Sequence, residues 1–365
     1  MKHENNGYFY LSIIGLFDRL EAECDRTNAD KMAHKSYKGF SPSPAQIALM
    51  PEVSGNDVNG LGEEEFRRPS YVYWGNDPDD TAHGDVQRWF YTVDPGLEEF
   101  SHLRAARQEI LEAPLRDIDP KASALSPEFV AQSVAQFIEN GIFEKFGVTA
   151  FNSDWAFEGV QIAYKNIVIL GFHHNYVEIE KAPQPEAGVE VMRQYMRAAY
   201  GAKFIANWLH EQGWAAEPLT GPMSGKITMI PAALQAGFGE LGKHGSIITP
   251  EFGSSFRLSA VLTDAPLPFD QPKAHGVDDF CANCRICEAA CPTDAIFPEK
   301  QQVRGTKKWY VDFDKCLPFF NEHQGCAICI AVCPWSRPGV GINLAEKLMK
   351  RAQRLASQSR TETTQ

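Results

Sequence analysis

The sequence has no apolar run approaching the roughly 18 residues that a membrane-crossing helix needs, so no span is expected. Its start, Met1-Lys2-His3-Glu4-Asn5-Asn6, has no twin arginine. The apolar stretch from Leu11 to Phe17 is too short and too soon interrupted to be a secretory segment. The expected location is the cytoplasm, where thiols survive reduced. Positive charge is in deficit: 35 Lys and Arg against 47 Asp and Glu leave a formal charge of −12, which argues against a nucleic-acid surface as the main business. Cysteine is confined almost entirely to one window. Of nine, only Cys24 lies outside 281–333, and it reads as a partly buried small side chain. With 365 residues and 44% hydrophobic content, the chain has room for two domains plus appendages and a sizeable core.

That window holds the strongest pattern. Cys281, Cys284, Cys287 and Cys291 followed by Pro292 form C-x2-C-x2-C-x3-C-P, the bacterial ferredoxin spacing for a [4Fe–4S] cluster. Cys316, Cys326, Cys329 and Cys333 followed by Pro334 repeat it with the first gap stretched. Three thiolates on a tight loop occupy three corners of a cubane, and the Cys before Pro ligates the other cluster in two-cluster ferredoxins. This logic assigns Cys281, Cys284, Cys287 and Cys333 to one cluster and Cys316, Cys326, Cys329 and Cys291 to the other. Two zinc knuckles are the competing reading of C-x2-C pairs, but no histidine completes either run. A disulfide framework lacks a secretory context.

Upstream, Ser41 to Glu65 is rich in Pro, Gly, Ser and acids and reads as extended loop. Arg67 to Trp74 is a short aromatic strand candidate, and the acidic turn Gly75 to Asp80 after it reads as solvated rather than ion-binding. Ser126 as N-cap, Pro127 at N1 and Glu128 in the first turn predict a helix with Val130, Val134, Phe137 and Ile138 on one face, ending near Gly141. Ile167 to Phe172 reads as a buried strand with His173-His174-Asn175-Tyr176 at its end. Pro183 and Pro185 break the chain before a long helix to Gly213, whose Met192, Tyr195, Met196, Ala199 and Leu209 are read as core packing. Phe256 to Asp264 alternates as a half-buried strand, and Ser357 to Gln365 reads as a disordered polar tail. Gly237-Phe238-Gly239 with Gly242 is formally G-x-G-x-x-G but lacks the strand-to-helix context and acidic partner of a dinucleotide fold. The glycines are read instead as letting backbone approach a large flat ligand.

The chain resembles the corrinoid iron–sulfur reductive dehalogenases. The residues that carry this are Gly239-Glu240-Leu241-Gly242-Lys243-His244-Gly245, Ile248-Thr249-Pro250-Glu251-Phe252-Gly253, and Arg257-Leu258 to Leu262-Thr263-Asp264, followed by both cysteine runs ending in Cys333-Pro334-Trp335. Ser126 to Pro338 is covered. Epoxyqueuosine reductases share the architecture. The resemblance implies a nitroreductase-like α/β corrinoid-binding domain at 126–275 and a two-cluster ferredoxin-like domain at 276–345. An irregular region at 1–125 packs on the core, and a C-terminal helix and polar tail make up 346–365. It implies two [4Fe–4S] clusters and cobalamin, with corrinoid contacts from Gly239, Leu241, Gly242, His244, Ile247, Thr249 and Arg257. Exported respiratory members carry a twin-arginine signal, so the chain looks like the cytoplasmic, catabolic type. Some of those have a fused flavin and ferredoxin reductase, so a separate ferredoxin or flavodoxin-type donor is expected here. The base-on cobalamin signature D-x-H-x-x-G has no match: His210-Glu211-Gln212-Gly213 has its tail, but Trp208 stands where Asp is needed. A base-off corrinoid is therefore expected.

The reaction implied is R–X + 2 e⁻ + H⁺ → R–H + X⁻, on an organic, aromatic halide. In the family a Tyr donates the proton and a Lys or Arg steadies the departing charge. By position these roles fall to Tyr176 and Lys243, with the lysine lowering the phenol's pKa. The bland alternatives are a packed aromatic and a solvated lysine. His173, His174 and His244 are pocket candidates or satisfied core histidines. Two further function classes stay open. One is an epoxyqueuosine-type tRNA reductase, disfavoured by acidity and by the absence of a helical-repeat extension. The other is an electron-transfer protein whose upstream domain has lost catalysis.

Overall fold

In the computed structural model the described residues are 37, 39–75, 77–93, 96–221 and 225–362. The expectations for Cys24 and for the segment at 11–17 fall outside them. Residues 36–365 form one compact unit. In chain order the elements are α1 (Pro44–Ile47), α2 (Gly55–Asn59), α3 (Gly84–Phe90), α4 (Glu98–Glu112), α5 (Pro127–Glu139), β1 (Lys145–Ala150), β2 (Asn166–His173), α6 (Tyr176–Ile179), α7 (Pro185–Glu211), β3 (Ala216–Leu219), α8 (Met229–Gln235), β4 (Glu240–Leu241), β5 (Ile247–Ile248) and β6 (Phe256–Thr263). The cysteine module adds α9 (Val277–Asn283), α10 (Ile286–Ala290), β7 (Gln301–Val303), β8 (Thr306–Lys308), α11 (Phe313–Glu322), α12 (Ile328–Ala331) and α13 (Val340–Glu362).

The α/β part is built on an antiparallel sheet of order β1-β2-β6-β3. The apolar run of β2 suits a strand covered on both faces. Ile167 and Ile169 join Ala260, Leu262, Phe238 and Ala233 in one core. Residues of opposite parity, such as Phe172, meet α7 on the other face. The helix lies close there because its sheet-facing positions are small; a Cβ on Gly201 would come within 2.7 Å of the Phe172 ring. Strand β6 pairs β2 on one side and β3 on the other. Its last five residues are all buried, so it is a central strand rather than the half-buried one its alternation suggests. The expected helix after Ser126 forms as α5, with the Ser126 hydroxyl accepting from Phe129 N. Val130 is buried, but Ile138 is exposed, so the apolar face is narrower than its pattern.

Three other expectations are corrected. Ser41 to Glu65 is not plain loop, because Ser43 and Ser54 cap the short helices α1 and α2. Arg67 to Trp74 pairs with no strand. It is a strap whose side chains fasten both parts: Arg68 donates to Ala156 O and Val160 O, while the Tyr73 hydroxyl donates to Asn321 Oδ1 at 2.6 Å. The C-terminal tail continues α13 as helix to Glu362. The turn at Pro78–Asp80 holds one 3-10 turn capped by Asp77, as a solvated turn should.

Candidate functional site

The cysteines sit on short helices and their caps. Cys281 is on α9 with Cys284 as its C-cap, Cys287 is on α10 with Cys291 as its C-cap, Cys316 is on α11, and Cys329 is on α12. Cys326 and Ala327 take positive φ, turning the chain tightly before α12. Cys333 opens a 3-10 turn through Pro334. Cys281, Cys284, Cys287 and Cys333 face one small cavity together with Lys243, His244 and Trp335. Burial pushes the Cys281 thiol up to about 11 and the Cys287 thiol to about 12, and neighbouring thiols of this group push the same way. The other group is coupled in the same way, with Cys287 of the first set acting on Cys329 as well. Burial, then Cys291, raises Cys316 to about 12, and Cys326 is raised to about 12 by burial and by Cys316 and Cys291. Eight free thiols in two buried sets are unfavourable as bare thiolates and suit cationic iron at their centres. Among the described residues no group of three or more His, Cys, Asp or Glu is gathered as a single metal ion needs.

Helix α2 fixes the second set. Asn56 Nδ2 donates to Asp312 Oδ1 at 2.8 Å and Gly55 N to Asp314 Oδ1 at 2.8 Å, both at the start of α11. The β4–β5 hairpin fixes the first set. Ile248 and Leu241 pack with Cys281, Cys333, Trp309 and Trp335. Two glycines of the run are needed by this hairpin itself. Gly239 has φ +134, and a Cβ there would lie 2.1 Å from Ile248 O. Gly242 is closed in by Ile248 and His244.

Lys243 and Tyr176 are not one pair. The Lys243 ammonium is buried in the wall of the first thiol set, 3.7 Å from Glu288 Oε2 and 5.2 Å from the Trp309 ring centre. Tyr176, at the first turn of α6, donates its hydroxyl to Ala331 O at 3.2 Å. Its pKa is raised, by burial first and Glu180 next, with Arg337 rather than Lys243 opposing. The predicted lowering by Lys243 is therefore corrected. The seven expected corrinoid contacts also divide. Gly239, Leu241, Gly242, His244 and Ile247 belong to the hairpin beside the first thiol set, and Thr249 follows it in an isolated bridge with Gly253. Arg257 lies on β6, facing α7.

At Arg257 a different site appears. Its guanidinium carbon is 5.1 Å from the centre of the Tyr195 ring on α7. Its Nε is buried without a hydrogen-bond partner, as are His174 Nε2 and Ser259 Oγ nearby on the same sheet end. His174 faces Ser255 Oγ through Nδ1 at 3.3 Å. Burial, then the charge of Arg257, pushes its pKa well below the ordinary value, so the ring is neutral. Arg107 on α4 also acts electrostatically on Tyr195, and its own Nε is buried and unpartnered. Among the described residues neither Arg107 nor Arg257 makes an ion pair. Tyr195 packs against the core that includes Cys287, and Cys291, Cys326 and Cys329 pack against the same core. This phenol was read as core from helical spacing. The available signal was its place on the α7 face opposite an arginine in the middle of an apolar strand.

An antiparallel α/β core joined to eight thiols in two sets has the build of a two-cluster iron–sulfur protein. The 4Fe-4S dicluster domain family matches residues 280–336. A tetrachloroethene reductive dehalogenase of Dehalobacter restrictus is 28% identical over 335 residues, 82% of this chain and 59% of that protein. An epoxyqueuosine reductase of Vibrio cholerae is 33% identical over 150 residues, 37% of this chain and 40% of its own length. A solved catabolic reductive dehalogenase in complex with 3-bromo-4-hydroxybenzoic acid superposes with a TM-score of 0.66 at 21% identity, over 83% of this chain and 47% of that one. Over most of its own length the chain is similar to tetrachloroethene reductive dehalogenases. It spans little more than half the length of the dehalogenases it matches. The family's cofactors are two [4Fe–4S] clusters and cobalamin. The thiol sets fit the clusters. The unpartnered His174, Arg257 and Ser259 atoms are what the amide-rimmed corrinoid would satisfy. No helix among the described residues is long and apolar enough to cross a membrane.

Proposed function

We propose that the protein replaces a halogen on an organic, aromatic halide by hydrogen, with Tyr195 as the proton donor and Arg257 as its cation. The observation that carries this is the half-buried guanidinium of Arg257 over the Tyr195 ring, with no carboxylate paired to it among the described residues and its Nε buried and unpartnered. A bound corrinoid supplies the reducing chemistry at the carbon–halogen bond. The chain's part is to hold the arene and move one proton. The Tyr195 hydroxyl donates to the carbon that loses halide. Arg257 stabilises the phenolate and halide charge that appear together, in a half-buried setting where such charge is worth more than in water. His174, held neutral, adds no competing cation. The aromatic substrate is supported by Arg107 and Arg257, which suit an arene bearing a carboxylate or phenolate.

The crossed cluster ligation is part of the same reading, supported by the two thiol sets. So is a corrinoid with no protein nitrogen on its metal. His210 is spoken for at both ring nitrogens, Nδ1 by Arg116 O at 2.7 Å and Nε2 by Ala216 N at 3.2 Å. A separate iron–sulfur or flavin donor and a reducing, cytoplasmic setting follow from the thiols that must stay available. The division at 126–275 and 276–345 is kept as the assignment of halves to tasks. The test is anaerobic halide release from chlorinated and brominated hydroxybenzoates under strong reductant, with iron and corrinoid content measured. Halide in step with dehalogenated arene is expected. A fully loaded protein that releases none across the panel, while reducing an epoxyqueuosine tRNA stem-loop or only passing electrons, overturns the proposal.

A further inference from the structure

A cavity of about 400 Å³ lies apart from the Tyr195 site. It is a groove between the β4–β5 hairpin and the β7–β8 hairpin, lined among others by Lys273, Lys300, Lys307, Lys308 and Trp309. Four lysines in one groove run against a chain whose formal charge is −12. Lys300 is paired with Asp278 at 2.7 Å. Among the described residues Lys273, Lys307 and Lys308 make no ion pair, and Lys273 and Lys307 are exposed. The floor matters as much as the charge. Trp309 is buried, donates its indole N–H to Asp278 Oδ1 at 2.9 Å, and packs in the same core as Cys281 and Cys333. Groove and first thiol set are thus two sides of one layer of side chains.

We propose that this groove is the docking surface for a small acidic one-electron carrier protein, which reduces the cluster held by Cys281, Cys284, Cys287 and Cys333 across Trp309. The inference rests on the reading that these clusters feed a reductive site. One electron leaves the reduced iron–sulfur or flavin centre of the carrier and enters the cluster, and no bond or proton changes hands. Cys287 of the first set is buried in the core against which Cys291, Cys326, Cys329 and Tyr195 pack, and Cys281 and Cys333 of the same set pack with Trp309, so the first cluster lies between the groove and that core. Charge complementarity selects the occupant. Unpaired lysines over a redox centre favour an acidic partner, and such patches raise association rates by roughly 10–10³ at low salt.

The test uses the whole holoprotein and a photoreduced acidic bacterial ferredoxin as probe. Stopped-flow bleaching of the clusters is read with no halide present, so a failed dehalogenase reading does not decide it. The triple variant Lys273→Glu, Lys307→Glu, Lys308→Glu should slow reduction by ferredoxin at least about tenfold at low salt. It should also abolish the fall in rate that salt causes in the parent. Reduction by methyl viologen, a small cation that needs no docking surface, should not slow. Lys121→Glu with Lys165→Glu, outside the groove, makes a charge control. Equal ferredoxin rates in the triple variant and the parent overturn the proposal. So does equal slowing in the control, which means net charge alone is at work. A triple variant purified without corrinoid also overturns it, assigning the lysines to the phosphate of the corrinoid's tail.

Discussion

The β4–β5 hairpin and the facing pair β6–α7 both reach the cysteine module, but they bring it opposite kinds of group. The hairpin inserts a buried ammonium, Lys243, and a histidine, His244, into the wall around four thiols. Burial holds His244 down to about 4, so it is neutral. The β6–α7 pair brings a guanidinium, Arg257, over a phenol, Tyr195. A cation beside thiol-bound iron favours an added electron. A cation beside a phenol favours a departing proton. The two arginine- and lysine-bearing segments are adjacent in sequence, and only the sheet separates their tasks.

The largest effect should come from the thiols that the comparison sets apart. Cys291→Ser should cost the cluster shared with Cys316, Cys326 and Cys329 and leave the other, so iron content falls to about half. EPR of the reduced variant, showing one remaining spin system, checks this. Loss of the Cys281–Cys287 cluster instead sinks the crossed assignment.

Next is the acid. Tyr195→Phe keeps the ring under Arg257 and removes only the proton, so kcat should fall by about 10²–10⁴ with a modest change in KM. Tyr176→Phe loses one hydrogen bond to Ala331 O and should turn over within about twofold of the parent. A reversed ranking, in variants with full iron and corrinoid, returns the acid to Tyr176.

The same two residues show what the amino-acid pattern could and could not carry. Spacing marked the eight cysteines because a cubane imposes a local repeat, and Cys281, Cys284, Cys287 and Cys333 line one small cavity. It also marked β2, α5 and α7, whose apolar periods and caps are local. It placed Tyr176 beside Lys243 because both belong to conspicuous motifs. Proximity in space, however, depends on which face of β6 and α7 a side chain takes. Tyr195 differs from its core neighbours Met196 and Ala199 only by facing Arg257, and no one-dimensional period contains that fact. The Arg67–Trp74 strap was misread for the same reason. Its β-prone residues meet loops and α11, not a strand edge.

Lys243 should matter less than Tyr195 and differently. Lys243→Met removes a buried cation next to the first thiol set, so that cluster should become harder to reduce in a spectroscopic redox titration. The alkaline limb of the rate profile should stay where it is, because Lys243 does not act on the phenol. If the limb moves and the cluster potential does not, Lys243 serves the proton after all. Glu288, 3.7 Å from Lys243, keeps its 2.9 Å ion pair with Arg285 in the variant, so the loss of stability should be small.

The smallest effect concerns the groove. Burial, reinforced by the positive charge of Arg304, brings Lys308 down to about 8. Lys300 and Asp278 also line the groove but are paired with each other. Above that pH Lys308 is neutral, and an acidic carrier loses one of its attractions. Stability moves the other way. The folded value lies below the ~10.4 of an unfolded lysine, so between the two the unfolded chain holds more protons and folding gains as pH rises. From about pH 7 to 9, ferredoxin-driven reduction should therefore slow by a few-fold while resistance to denaturant does not fall on this lysine's account. Lys308→Arg keeps its charge throughout and should flatten the decline. Methyl viologen reduction over the same range corrects for the cluster's own response. A decline as steep in Lys308→Arg as in the parent removes Lys308 from the docking surface.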